Sequence, residues 1–177
     1  MVMDANTTQD LVGPCYLLIG SMFFDMFDGR VARMTKTQTN FGMELDSLAD
    51  MFSFGGAPAV LLYKWGLGDM GTVGTAVCFI FLACGGLRLA RFNVIAKHKV
   101  EAGTKAADSY FIGLPIPCAA GLVISIVLVS AHTTIEMVQA NYSSLFFILL
   151  VSFFMISNIK FRTFKDLSIG RLTPASL

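Results

Sequence analysis

The stretch Asp25 to Asp50, DMFDGRVARMTKTQTNFGMELDSLAD, decides how the rest of the chain is read. It sets four aspartates, Asp25, Asp28, Asp46 and Asp50, beside otherwise apolar segments. An ionised aspartate near a bilayer centre costs about 2.5–3.5 kcal/mol on insertion scales, so carboxylates placed this way need a function. On a helix Asp25 and Asp28 are three residues apart and Asp46 and Asp50 four, so each pair projects from one face of its own helix. Four facing carboxylates repel one another unless a cation lies among them. Their hard oxygen atoms suit Mg²⁺ or Mn²⁺, with Ca²⁺ also compatible. The stretch predicts a divalent-metal site.

Small residues adjoin each carboxylate face. Gly29 follows Asp25 by four, Ala32 follows Asp28 by four, and Gly42 precedes Asp46 by four, leaving gaps through which a bulky group can approach. Arg33 presents a planar fork of donors suited to a phosphate or a carboxylate, and it also fits a plain anchor at the membrane surface.

The chain around this stretch has 177 residues, of which 55% are hydrophobic and only 14% charged, with a mean hydropathy of +0.68. Soluble domains carry about 25% charged residues, so the composition excludes a water-soluble enzyme and predicts one integral membrane domain over residues 1–177. The expected architecture is all-α, a polytopic membrane helix bundle of about five transmembrane helices. The expected spans are Leu11 to Arg33, Gly42 to Tyr63 with a kink near Gly55, Gly56 and Pro58, Thr72 to Phe92, Tyr110 to Ala131 and Ser144 to Ile159. Residues 1–10 read as a polar tail without the basic start of a signal peptide, and residues 161–177 as a cytoplasmic tail.

If the helices alternate, twelve of the thirteen Lys and Arg residues fall on the side of the aspartates and Lys64 alone on the other. The positive-inside rule then places the aspartates at the cytoplasmic face of a bacterial or archaeal cytoplasmic membrane. The four cysteines, Cys15, Cys78, Cys84 and Cys118, lie in apolar segments without a C-x-x-C pair and read as small buried residues. His98 and His132 have no partners in the sequence that would make them ligands or bases. Gly85 and Gly86 read as close helix packing, and no P-loop, dinucleotide motif or nucleic-acid signature is present.

The spacing D-x2-D-G-x2-A-R-x8-G-x3-D-x3-D is met by Asp25, Asp28, Gly29, Ala32, Arg33, Gly42, Asp46 and Asp50, and it resembles the signature of the CDP-alcohol phosphotransferase family. The resemblance implies a CDP-linked lipid donor and CMP as leaving group. It implies two divalent ions held by Asp25, Asp28, Asp46 and Asp50, with Asp50 also the general base. It further implies that Gly29, Ala32 and Gly42 make room for the cytidine and its phosphates, and that the protein is a homodimer. Members normally have six transmembrane helices, so the first is expected to be absent here. The segments FGMELDSLADMFSFGGAPA, CGGLRLARFNV and FIGLPIPCAA resemble the branch that uses L-serine as acceptor and makes phosphatidylserine from CDP-diacylglycerol.

Serine offers a carboxylate for an arginine fork. Arg88 and Arg91, three apart with Asn93 close by, supply candidates for that carboxylate or for the donor phosphate, with membrane-surface anchoring as the plain alternative. The same transfer to inositol phosphate or glycerol phosphate is the competing reading within the class. A divalent-cation transporter is the competing reading outside it. Asp25 lies eight residues, about 12 Å along a helix, from Arg33, which argues for a pocket open on one side only.

Overall fold

The computed structural model describes residues 10–35, 39–101, 110–132 and 142–162. Helix α1 spans Val12–Thr35, with Pro14 in its first turn, where its missing N–H is not needed. Helix α2, Asn40–Asp50, is started by Thr39, which has an extended backbone and whose side-chain oxygen accepts from Gly42 N–H at 3.0 Å. The chain then stays helical with wider turns. Met51–Gly56 is π-helical, α3 covers Ala57–Leu62, Tyr63–Leu67 is again π-helical, and Gly68–Met70 closes as a 3₁₀ turn.

The kink expected near Gly55, Gly56 and Pro58 coincides with a π-helical stretch, and the chain stays helical through it. Pro58 cannot donate to the preceding turn, and the backbone absorbs the loss by widening, with Ala57 N–H reaching back five residues to Phe52 O. The true interruption comes at Gly66, whose φ of 132° only glycine adopts readily. After the turn at Gly71, α4 spans Thr72–Glu101. It continues nine residues past the expected end at Phe92, because Ala, Lys and Glu in the charged segment favour helix over loop.

Tyr110 does not begin a helix. Tyr110–Ile112 forms β1, which pairs antiparallel with β2, Lys160–Arg162, in the register Tyr110↔Arg162, Phe111↔Phe161 and Ile112↔Lys160. The fold is helical as expected, with one short ribbon added that the sequence does not announce. Gly113, with φ of 78°, turns the chain into α5, Ile116–His132, while α6 is Tyr142–Ile156. A Cβ at Gly113 would stand 2.6 Å from Met155 O, and Gly113 N–H donates to Ile159 O at 3.0 Å, so the β1–α5 turn is fastened to the end of α6.

The core is apolar, with Phe54, Leu62, Trp65, Phe81, Ile116, Val127 and Ile148 at its centre. Helix α4 packs along α6, and α1 packs along α5. Glycines bring α4 onto the π-helical segment. A Cβ on Gly85 would lie 4.0 Å from Gly55 Cα and 2.8 Å from Ile116 Cδ1, which agrees with the close packing expected there. Large apolar side chains also face outward, among them Leu17, Phe24, Phe52, Phe79 and Phe146. Among the described residues, only Thr72–Ile95 is both long and apolar enough to cross a membrane. Val12–Phe27, Ile116–His132 and Tyr142–Ile156 are apolar but shorter, so one of the five expected spans meets the length criterion.

Candidate active site

Two helices deliver the carboxylates. Asp25 lies just past the middle of α1, and Asp50 ends α2 where the π-helical turns begin. Asp25 lies within hydrogen-bonding reach of the Asp50 carboxyl group, and Asp46 and Arg88 stand close enough to act on its charge. Asp50 Oδ1 is buried and has no hydrogen-bond partner among the described residues. A buried carboxylate oxygen facing another carboxylate is satisfied by a proton or by a cation.

The donor set fits a hard divalent ion. It is made of carboxylate oxygens alone, one of which is buried and unsatisfied. Among the described residues, no group of three or more His, Cys, Asp or Glu side chains is placed to hold a metal ion, so Asp25, Asp46 and Asp50 do not by themselves make a complete site. The side chains of Asp28, Gly29, Ala32 and Arg33 lie outside the described residues, so the structure locates their backbone on α1 and no more. Gly42 sits at the start of α2, where a Cβ would press on Thr39 Oγ1 at 3.1 Å.

The two arginines part company. Arg88 turns toward Asp50, its guanidinium carbon 5.6 Å from the centre of the Phe92 ring, and its Nε is buried without a partner. Arg91 reaches the other way. Its Nη1 donates to Ile156 O at 3.2 Å and its Nη2 to Asn158 Oδ1, closing the open carbonyl end of α6. Of this pair, only Arg88 is placed beside the carboxylates. Asn93 Nδ2 donates to Ser47 Oγ at 2.9 Å, linking α4 to α2.

Ser47, Phe92 and Asn158 were not singled out from sequence. Ser47 carried a usable signal, since it lies between Asp46 and Asp50 on the face of α2 that turns inward. Asn158 carried none, because its role depends on where α6 stops. Cys15, Cys78 and Cys84 are buried as expected, whereas Cys118 is exposed and lies near Arg88. Cys118 stands in the first turn of α5, beside the buried Ile116 and Ala119. His132 donates from Nδ1 to Leu128 O at 2.9 Å at the end of α5, and the side chain of His98 lies outside the described residues.

Residues 2–156 match the family model described as CDP-alcohol phosphatidyltransferase. The chain is 40% identical over 162 residues to a Helicobacter pylori protein named CDP-diacylglycerol–serine O-phosphatidyltransferase; the match covers 90% of this chain and 64% of that protein. A Methanocaldococcus jannaschii protein of the same name is 37% identical over 150 residues, covering 85% of this chain and 64% of that protein. A Methanothermobacter thermautotrophicus protein named archaetidylserine synthase is 36% identical over 149 residues, covering 83% of this chain and 57% of the relative. The chain thus spans under two thirds of the length of these relatives.

Proposed function

The chain belongs to the CDP-alcohol phosphatidyltransferase family, and from that premise we propose that it transfers a phosphatidyl group from CDP-diacylglycerol to the hydroxyl of L-serine, giving phosphatidylserine and CMP. The observation that carries this reading is the meeting of Asp25 from α1 with Asp50 from α2, with Asp46 and Arg88 at their side. The names of the relatives favour serine over inositol phosphate or glycerol phosphate as acceptor.

In the reaction the serine hydroxyl oxygen forms a bond to the phosphatidyl phosphorus as the phosphorus–oxygen bond to CMP breaks. The hydroxyl proton passes to Asp50, whose unsatisfied Oδ1 is an acceptor in a desolvated setting. Asp25, Asp28, Asp46 and Asp50 would hold two Mg²⁺ or Mn²⁺ ions, which would supply charge neutralisation of the pyrophosphate and polarisation at phosphorus. Arg88 offers a guanidinium without a hydrogen-bond partner at Nε, beside the carboxylates, to the serine carboxylate or the donor phosphate. Gly29, Ala32 and Gly42 leave room for the cytidine end of the donor, with Arg33 as a further phosphate contact.

The protein is integral to the cytoplasmic membrane, with the aspartates on the cytoplasmic side and the outward Phe and Leu side chains in lipid. It works as a homodimer, a point on which the family resemblance alone bears. The test is CMP release from CDP-diacylglycerol by the purified chain with Mn²⁺ or Mg²⁺, offering L-serine, inositol phosphate or glycerol phosphate in parallel. Release that depends on serine and metal supports the reading. Release with another acceptor reassigns the substrate, and metal flux in sealed vesicles without CMP release would replace the enzyme by a transporter.

A further inference from the structure

We infer that Asn93 is a positioning residue whose hydrogen bond to Ser47 fixes the helix that carries Asp46 and Asp50, so that it acts on the reaction through Ser47 and not by touching a substrate. This rests on the reading that Asp46 and Asp50 do the chemistry.

Helix α2 is poorly held by apolar packing. Its large apolar residues Phe41, Met43, Leu45 and Leu48 are all exposed, and between residues 41 and 50 only Ser47 and Asp50 are not. A helix that buries so little is not fixed in rotation or depth by the core. Ser47 is therefore one of two α2 residues between 41 and 50 that are not exposed, and the other is the carboxylate to be positioned.

The polar link at that place is complete. Asn93 Nδ2 donates to Ser47 Oγ at 2.9 Å, and Ser47 Oγ donates its own hydrogen to Met43 O at 3.0 Å. The hydroxyl is thus both acceptor and donor, and its second bond ends on the backbone of α2 one turn before Ser47. Removing either Asn93 or Ser47 breaks the same link. Helix α4, which supplies Asn93, is in turn seated against the π-helical segment at Gly55 and Gly85 and against α6, so the link ties a loosely packed helix to a firmly packed one. Asn93 lies five residues after Arg88 on α4, so this helix supplies both a charge beside Asp50 and the anchor of Asp50's own helix.

The experiment compares Asn93→Ala, Ser47→Ala, the double variant and Ser47→Thr, using the full chain in lipid nanodiscs, with two readouts. The first is amide hydrogen exchange of residues 43–50, where each single variant is expected to speed exchange by about three- to tenfold, the double variant no more than either single, and Ser47→Thr to restore protection. The second is CMP release, where the same order is expected in kcat, with KM for serine and for CDP-diacylglycerol within about twofold of the parent. Asn93→Leu, which keeps the side-chain shape without the amide, replaces Asn93→Ala if that variant does not fold. Independent, additive effects of the two single changes on exchange overturn the link. A serine KM raised by Asn93→Ala and not by Ser47→Ala overturns the positioning role in favour of substrate contact. If the parent chain releases no CMP with any acceptor, the proposed function fails, while hydrogen exchange still decides whether Asn93 and Ser47 act as one unit.

Discussion

Replacing Gly85 by alanine tests the crossing that sets α4 against the π-helical segment. The new Cβ would lie 2.8 Å from Ile116 Cδ1, and carbon atoms rest about 3.5–4.0 Å apart, so about 1 Å must be recovered by movement. Ile116 is 1% exposed, and a Cβ at Gly55 would also lie 3.8 Å from the same Cδ1, so the methyl sits across the crossing with little free space. Overpacking of this kind costs about 1–3 kcal/mol, while alanine in a helix gains about 1 kcal/mol over glycine. The clash can be separated from the gain by trimming Ile116 to valine, which deletes Cδ1 at a cost of about 0.5–1.5 kcal/mol. In the Ile116→Val background Gly85→Ala should be neutral or stabilising by up to about 1 kcal/mol, whereas in the parent it should be destabilising or at best neutral. The cycle therefore predicts a coupling of about 1–3 kcal/mol, read from denaturant or thermal unfolding of the chain in detergent micelles. Equal effects of Gly85→Ala in both backgrounds would refute the reasoning, because the clash with Cδ1 would then not exist.

Asp50→Asn should abolish turnover and leave CDP-diacylglycerol binding detectable, measured by CMP release and by lipid binding side by side; substantial remaining activity removes Asp50 from the mechanism. Chelation of divalent ions with EDTA should stop CMP release, and Mn²⁺ or Mg²⁺ should restore it. Gly74→Ala should destabilise by about 3 kcal/mol or more, because its Cβ would overlap the Leu67 carbonyl, which is backbone and cannot turn away. Gly20→Ala, with nothing within 4 Å of the new Cβ, should be neutral or stabilising by up to about 1 kcal/mol in the same unfolding assay. Arg91→Ala should lower stability by about 1–2 kcal/mol through the lost contacts to Ile156 O and Asn158, with serine KM unchanged, whereas Arg88→Ala should act mainly on kcat/KM.

What could be read from the sequence was set by local rules. The apolar runs of α1, α4, α5 and α6 follow from composition, and Asp25 and Asp50 were expected to face one another because fixed helical spacing leaves few other ways to accommodate them. The ribbon was not legible, since β1 and β2 are three residues each, pair across fifty residues of chain, and carry no alternation that would separate them from loop. The far end of α4 is poorly legible because a charged stretch reads equally as loop, although Ala, Lys and Glu favour helix wherever they are solvated. The widening to five-residue hydrogen bonding beside Pro58 is not legible either, since no residue pattern announces a π-helical turn.

Arg88 and Arg91 show why spacing alone could not assign the site. Three residues apart, they lie within about 60° of one another around the helix axis, which supports a shared face. Each carries a long side chain, so what decides its destination is the nearest unsatisfied partner. For Arg91 that partner is the carbonyl end of α6, and for Arg88 it is the charge on Asp50. Together with Gly85 at the crossing and Asn93 on Ser47, four positions within nine residues of α4 meet the π-helical segment, the end of α6 and, twice, α2. A shift of α4 along its axis would therefore move Arg88 and the Ser47 link together, and the carboxylates would lose alignment with the arginine before either helix lost its own hydrogen bonds. The stability of the Gly55–Gly85 crossing and the rate of phosphatidyl transfer should accordingly change together in Gly85 variants, while Arg91 variants separate them by loosening α6 alone.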